Sequence, residues 1–314
     1  MSISARNGAP ASNGGGETLW RPRVVLPFLA VALIWGSTWL VIKGQAGSVP
    51  PAWSVCYRFA VAAAGTFVLA LLRRDSLRLD APGWRLALGI GLFHFTLNYQ
   101  FLYPAEQHLT SGLVAVLYAL LMVPNAVLAH IFLGQRLARG FWAGSAVALA
   151  GITLLVAHEV QVAPPAATPW LGIGMVTISI LGASVANVIQ ASGAARSRAI
   201  LPILAWAMAI GTLADALIAL VLAGPPVIDQ TWSYVSGVLY LSIVGSVITF
   251  PLYFQLLKDM GAGRAAYNGV LVPVVAMGLS TVFEGYRWTL LPVAGSVLAM
   301  AGLFMALKAR NPSR

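Results

Sequence analysis

The chain has 314 residues, of which 59% are hydrophobic and only 9% charged, and its mean hydropathy is +0.83. A soluble domain carries roughly 25% charged residues, so this composition excludes an ordinary water-soluble globule and points to a membrane protein. The single cysteine, Cys56, excludes a disulfide framework and a cysteine-based metal site.

Residues 1–20 are rich in Gly, Ser, Asn and Ala without apolar periodicity, and read as a disordered cytoplasmic tail. They do not read as a signal peptide, because the apolar run that follows is long enough to span a bilayer. A span needs about 20 largely apolar residues. Ten segments qualify: 24–43, 52–72, 84–103, 110–133, 140–157, 170–192, 200–222, 232–257, 264–283 and 289–307. Turn chemistry marks the breaks, as in Ser48-Val49-Pro50-Pro51, Ala81-Pro82-Gly83 and Gly224-Pro225-Pro226. The expected class is an all-α integral membrane protein with ten transmembrane helices.

Loop Lys and Arg set the orientation. With the N-terminus inside, 16 of the 19 basic residues fall on the inner side, among them Arg73, Arg74, Arg78, Arg136, Arg139, Arg196, Arg198, Lys258 and Lys308. Lys43 and Arg287 fall at outer ends, and Arg58 lies within a span. The net charge of +10 therefore reflects N-in, C-in topology and anionic lipid, and no nucleic-acid partner is expected.

The second half echoes the first. Tyr118 and Pro124 are spaced like Tyr267 and Pro273, and Phe132, Gly134 and Arg136 recur as Phe283, Gly285 and Arg287. Ala143 to Gly151 reads AGSAVALAG, and Ala294 to Gly302 reads AGSVLAMAG. A period of about 150 residues exceeds that of solenoid repeats, so it marks a duplicated half-protein. Five spans per half is an odd number, which inverts the second half. The expected division is a tail at 1–20, five-helix repeats at 21–160 and 161–309, and a cytoplasmic tail at 310–314. Inverted repeats characterise secondary transporters, whose substrate sites lie near the midplane where the halves meet.

Span one carries Trp35, Thr38 and Trp39, with both indoles on one face. Tryptophan favours membrane interfaces, so an indole at mid-depth wants a buried partner or a ligand. Arg58 in span two and Asp215 in span seven are embedded charges that either pair with each other or cap a vestibule, with snorkelling open to the long Arg. Span three is the most polar. His94 and Asn98 share a face one turn apart, followed by Tyr99 and Gln100, and ionisable groups at that depth usually face a cavity or a proton route. Tyr118 and Tyr267 would place phenols in the centre from equivalent helices, with Asn187 and Asn268 adding polarity. The expected substrate-binding set is Trp35, Thr38, Trp39, His94, Asn98, Tyr99, Tyr118 and Tyr267. Pro124 and Pro273, in mid-span, are read as kinks or hinges. Gly144, Gly151, Gly295 and Gly302 are read as helix-packing positions. Lys43 is read as snorkelling to the headgroups, the alternative being a substrate carboxylate.

These features together resemble the EamA-type transporters of the drug/metabolite transporter superfamily. The resemblance rests on two five-helix halves, the Trp35-Gly36-Ser37-Thr38 start, Arg58-Phe59 in span two, and a proline-bearing helix ending in Phe132-Leu133-Gly134 before a Gly-rich helix. It covers about Val24 to Lys308. The family pattern often has Glu after the Gly that ends helices four and nine; here those residues are Gln135 and Tyr286, so no role of that acid carries over. The resemblance implies export of small metabolites, amino acids or cationic drugs across the bacterial inner membrane, and the aromatic residues are similar to a YddG-type aromatic amino acid exporter. Small-molecule substrate and lipids are the implied partners, in a monomer or weak homo-oligomer without cofactor or metal. A sugar-phosphate or nucleotide-sugar carrier would need several basic residues in the cavity, and only Arg58 lies well inside a span. A membrane enzyme would need a constellation such as His-Glu-x-x-His or Gly-x-Ser-x-Gly, which is missing.

Overall fold

The computed structural model describes residues 22–47, 49–162, 168–253, 255–256 and 267–310. The expected tail at 1–20, residues 311–314 of the expected tail at 310–314, and the basic residues Arg6, Arg21, Lys258, Arg264 and Arg314 lie outside the described residues, while Arg310 ends the last helix. The helices in chain order are α1 (Pro22–Gly44), α2 (Pro51–Leu72), α3 (81–105), α4 (Ser111–Leu133), α5 (Arg139–Val162), α6 (Pro169–Gln190), α7 (Ile200–Ala223), α8 (Trp232–Tyr253), α9 (Asn268–Phe283) and α10 (Leu290–Arg310). Eight of these are long and apolar enough to cross a membrane; α9 is apolar but shorter among the described residues, and α3 is not among the eight. His94, Asn98 and Gln100 account for that, because they dilute the hydropathy of α3. Leu72, Phe132, Val221, Leu222 and Leu290 are exposed on the outside of the bundle, where a soluble protein would place charge and lipid would cover them.

Helix starts and stops follow local chemistry. Proline opens α2 and α6 in the first turn, where its missing N–H costs nothing. Asp80 caps α3 by accepting the Gly83 N–H at 2.9 Å. Gly134 and Gly285, equivalent in the two halves, adopt φ of 66° and 67°, a left-handed turn that leaves little choice but glycine.

Two helices widen. Gly91–Asn98 in α3 and Tyr240–Ile248 in α8 are π-helical, at corresponding places in the halves. A π turn frees backbone groups and often marks a functional site. Hydroxyls reach back five residues to carbonyls of the widened turn: Ser246 Oγ donates to Leu241 O at 3.0 Å, and Thr249 Oγ1 to Val244 O at 2.5 Å. In α4 the regular helix stops at Ala119 and restarts at Met122. Pro124 cannot donate to Leu120, whose carbonyl instead takes the Val123 N–H at 2.8 Å. The break therefore precedes the proline. In α9 the helix runs on through Pro273.

The two AGSxxAxAG copies lie antiparallel against each other in α5 and α10. A Cβ on Gly144 would sit 2.4 Å from Ala306 N, and one on Gly151 2.3 Å from Ala299 N. From the other side, a Cβ on Gly302 would lie 2.2 Å from Ala148 N, and one on Gly295 2.7 Å from Gly151 O. Backbone touches backbone, which only the missing side chains permit.

The ends of the bundle are tied by separate polar sets. At one end Arg198, between α6 and α7, donates through Nε to Asp80 at 2.9 Å, and this bond holds the exposed Asp80 carboxyl down at about 2. A depressed carboxyl stabilises the fold while ionised and loses that contribution as pH falls through its folded value. The melting-temperature gap between wild type and Asp80→Asn is thus expected at pH 6, to shrink below about pH 4 and to vanish near pH 2. Added salt should narrow it too. A gap that persists unchanged at pH 2 would disprove the pairing.

At the other end Lys43, in α1, donates to the Leu109 carbonyl and faces Glu284 at 3.6 Å. Glu284 accepts the Ser111 N–H at 3.2 Å and its hydroxyl, so the C-terminus of α9 caps the N-terminus of α4. Glu159, in α5, accepts the Thr110 N–H at 3.3 Å. Lys43 is therefore not a snorkelling side chain: it is a tie between α1, α9 and the loop before α4.

Candidate functional site

The widened turn of α8 faces α1, and aromatic groups of α1, α2, α3 and α8 form a chain of ring contacts around it. Trp35 in α1 lies with its ring centroid 5.0 Å from Tyr253 and 6.0 Å from Phe250 in α8, and its indole N–H donates to Gly245 O at 3.3 Å in the π segment. Thr38 donates to Trp35 O at 2.7 Å and packs its methyl against Gly245. His94 in the α3 π segment is 6.2 Å from Phe250 and 6.0 Å from Tyr99. Its Nδ1 is buried without a hydrogen-bond partner.

Tyr99 carries the cluster into α2. Its ring is 4.7 Å from Phe59, and the Arg58 guanidinium lies 4.7 Å from the Tyr99 centroid and 5.3 Å from that of Phe59. Arg58 NH1 donates to Tyr103 Oη at 3.3 Å. A second branch runs through Asn98, whose Oδ1 accepts Tyr118 Oη at 3.1 Å and Ser179 Oγ at 2.6 Å. Tyr118 then meets Trp39 at 5.1 Å.

Trp35, Thr38, Trp39, His94, Asn98, Tyr99 and Tyr118 thus belong to one connected group of rings and polar atoms. Tyr267 stands apart: its ring packs on Phe304 in α10 at 5.6 Å, and it makes no ring contact with that group among the described residues. The inverted repeat predicts a symmetric pair of phenols, but Tyr267, at the N-cap of α9, packs on α10 instead.

Two further expectations change. Arg58 does not snorkel; it is 3% exposed, folded down onto Tyr99. Asp215 does not pair with it. Asp215 Oδ1 accepts Gln100 Nε2 at 3.0 Å, on the side of α3 turned towards α7. Phe250 and Tyr253 were not singled out from the sequence, because aromatic residues near the end of a span are ordinarily interface anchors.

This arrangement offers flat apolar faces for stacking, a buried imidazole and amide, and no group set up as a nucleophile. Among the described residues no cluster of three or more His, Cys, Asp or Glu side chains stands ready for a metal. The EamA-like transporter family model matches residues 23–157 and 170–308. The chain belongs to the EamA-like transporter family. It is a multi-pass inner membrane protein and a small-molecule transporter of the drug/metabolite transporter superfamily. Among its relatives is PagO of Salmonella typhimurium, 25% identical over 292 residues that cover 90% of this chain and 92% of PagO. The inner membrane transporter YedA of Escherichia coli is 31% identical over 278 residues, 84% of this chain and 85% of YedA. A probable amino-acid metabolite efflux pump of Salmonella typhimurium is 27% identical, covering 88% of this chain and 92% of the pump. A solved crystal structure superposes with a TM-score of 0.64 at 22% identity, over 91% of this chain and 96% of its own, a likeness of fold.

Proposed function

We propose that this transporter exports small aromatic metabolites, aromatic amino acids first among them, by alternating access between two inverted five-helix repeats at 21–160 and 161–309. The observation that carries this reading is the ring cluster of Trp35, Tyr253, Phe250, His94 and Tyr99, where three helices, α1, α3 and α8, bring aromatic rings from both repeats to one place. Stacked and edge-to-face contacts with such rings hold an aromatic side chain. The similarity to a probable amino-acid metabolite efflux pump supports amino acid export.

A ten-span, N-in and C-in topology fits how the helix ends sort. Lys43, Ser111, Glu159 and Glu284 meet at one end, as alternate crossings require, while Asp80 and Arg198 meet at the other. Opening the Lys43 end requires parting its ties, and the break before Pro124 gives α4 a place to bend; Pro273 is the corresponding hinge candidate in α9. Protein in this cycle works as a monomer or weak homo-oligomer.

Counterflow in proteoliposomes tests the proposal. Vesicles preloaded with unlabelled phenylalanine are expected to accumulate labelled phenylalanine or tryptophan well above protein-free vesicles. Uptake driven by a sugar phosphate and not by either amino acid would refute the aromatic reading.

A further inference from the structure

Arg58 is a buried cation with no acidic partner among the described residues. Its guanidinium is 3% exposed, and among the described residues no carboxylate lies within ion-pair distance of it. The ionisable side chains that face it are Tyr99, Tyr103 and Tyr118, together with His94. Glu284 is paired with Lys43 and Asp215 is bonded to Gln100, while Glu106, buried with both carboxylate oxygens unpartnered, forms no ion pair with Arg58. One of the five N–H donors of Arg58 reaches Tyr103; its Nε is buried with no partner at all. Cation–π contact with Tyr99 and Phe59 offsets part of the cost of burial. A charge held this deep without a counter-ion otherwise weighs against folding.

From this geometry we infer that Arg58 is the binding site for the carboxylate of the transported substrate. The inference rests on the aromatic reading above and sharpens it, since Tyr99 is shared by the guanidinium and the His94 rings. A ligand with its ring at the Trp35 and His94 cluster and its oxyanion on the free edge of Arg58 satisfies both. A carboxylate matches the planar fork of a guanidinium. A phosphate dianion would call for more than one cation, and Lys43, at the outer end of α1, is tied to Glu284. A planar dication, by contrast, would meet Arg58 as a like charge.

The test needs no mutant at first. Purified full-length protein is titrated with phenylalanine, 3-phenylpropionate (ring and carboxylate), phenethylamine (ring and amine), leucine and inorganic phosphate, following thermal shift, with counterflow competition as a second readout. Phenylalanine and 3-phenylpropionate are expected to bind, and phenethylamine to bind about tenfold more weakly or worse. Arg58→Met, which keeps bulk without charge, should lose the carboxylate preference, and Arg58→Lys should restore part of it. Leucine or phosphate binding to wild type but not to Arg58→Met, with phenylalanine inert, would uphold the anion site while refuting the aromatic one. Equal binding of phenethylamine, wild-type affinity in Arg58→Met, or no response to any oxyanion would overturn the assignment.

Discussion

Gly302→Leu is expected to remove most of the folded protein. The built Cβ would meet Ala148 N at 2.2 Å and Gly144 O at 2.6 Å, and both are backbone atoms that cannot rotate away. Overpacking of a tight interface costs about 1–3 kcal/mol, occasionally more, and a backbone obstacle puts this site at the upper end. The whole of α10 would have to move off α5, which loosens the longest helix contact that joins the two halves. The readout is the yield of monodisperse protein and its melting temperature in detergent. Gly278→Ala in α9 is the control: nothing lies within 4 Å of its Cβ position, so stability should hold or rise by up to ~1 kcal/mol from helix propensity. Equal melting of wild type and Gly302→Leu would contradict the close approach.

Trp35→Ala is expected to slow aromatic counterflow about tenfold, equivalent to ~1.4 kcal/mol, and His94→Ala to slow it comparably. Trp35 makes ring contacts with both Phe250 and Tyr253 and a hydrogen bond to the widened turn at Gly245. Losing the indole therefore removes a stacking face and frees a carbonyl at the same point. Trp35→Phe keeps the face and should retain most of the flux. Tyr267→Phe, whose ring lies against Phe304, should leave flux unchanged. Since Trp35 also packs α1 against α8, each variant needs a melting curve beside its rate. Wild-type flux in well-folded Trp35→Ala and His94→Ala would remove both residues from the substrate path.

The sites of largest effect differ in how plainly the chain announced them. Gly144, Gly151, Gly295 and Gly302 stand out because duplication repeats them, and repetition survives whatever the helices pack against. Trp35, His94 and Asn98 stand out because polar or amphipathic groups are rare at bilayer depth. Phe250 and Tyr253 carried no such signal. Arg58 was visible as an embedded charge, but its length allowed two opposite placements, out to the headgroups or down onto Tyr99, and local sequence does not choose between them.

What the amino-acid sequence determined was one-dimensional: which segments are long and apolar enough to cross, where they stop, and that the second half repeats the first. Apolar length, turn residues and basic loops encode these directly, since each depends only on neighbours along the chain. Tertiary structure alone decided how far each helix is rotated about its axis. A helix surrounded by lipid on one side and apolar protein on the other lacks the sharp polar stripe that fixes rotation in water. The π turns at Gly91–Asn98 and Tyr240–Ile248 then shift every following side chain around the helix. In the folded bundle Phe250 meets both Trp35 and His94, Tyr267 rests on Phe304, Lys43 faces Glu284, and Arg58 is buried with no acid within ion-pair distance among the described residues.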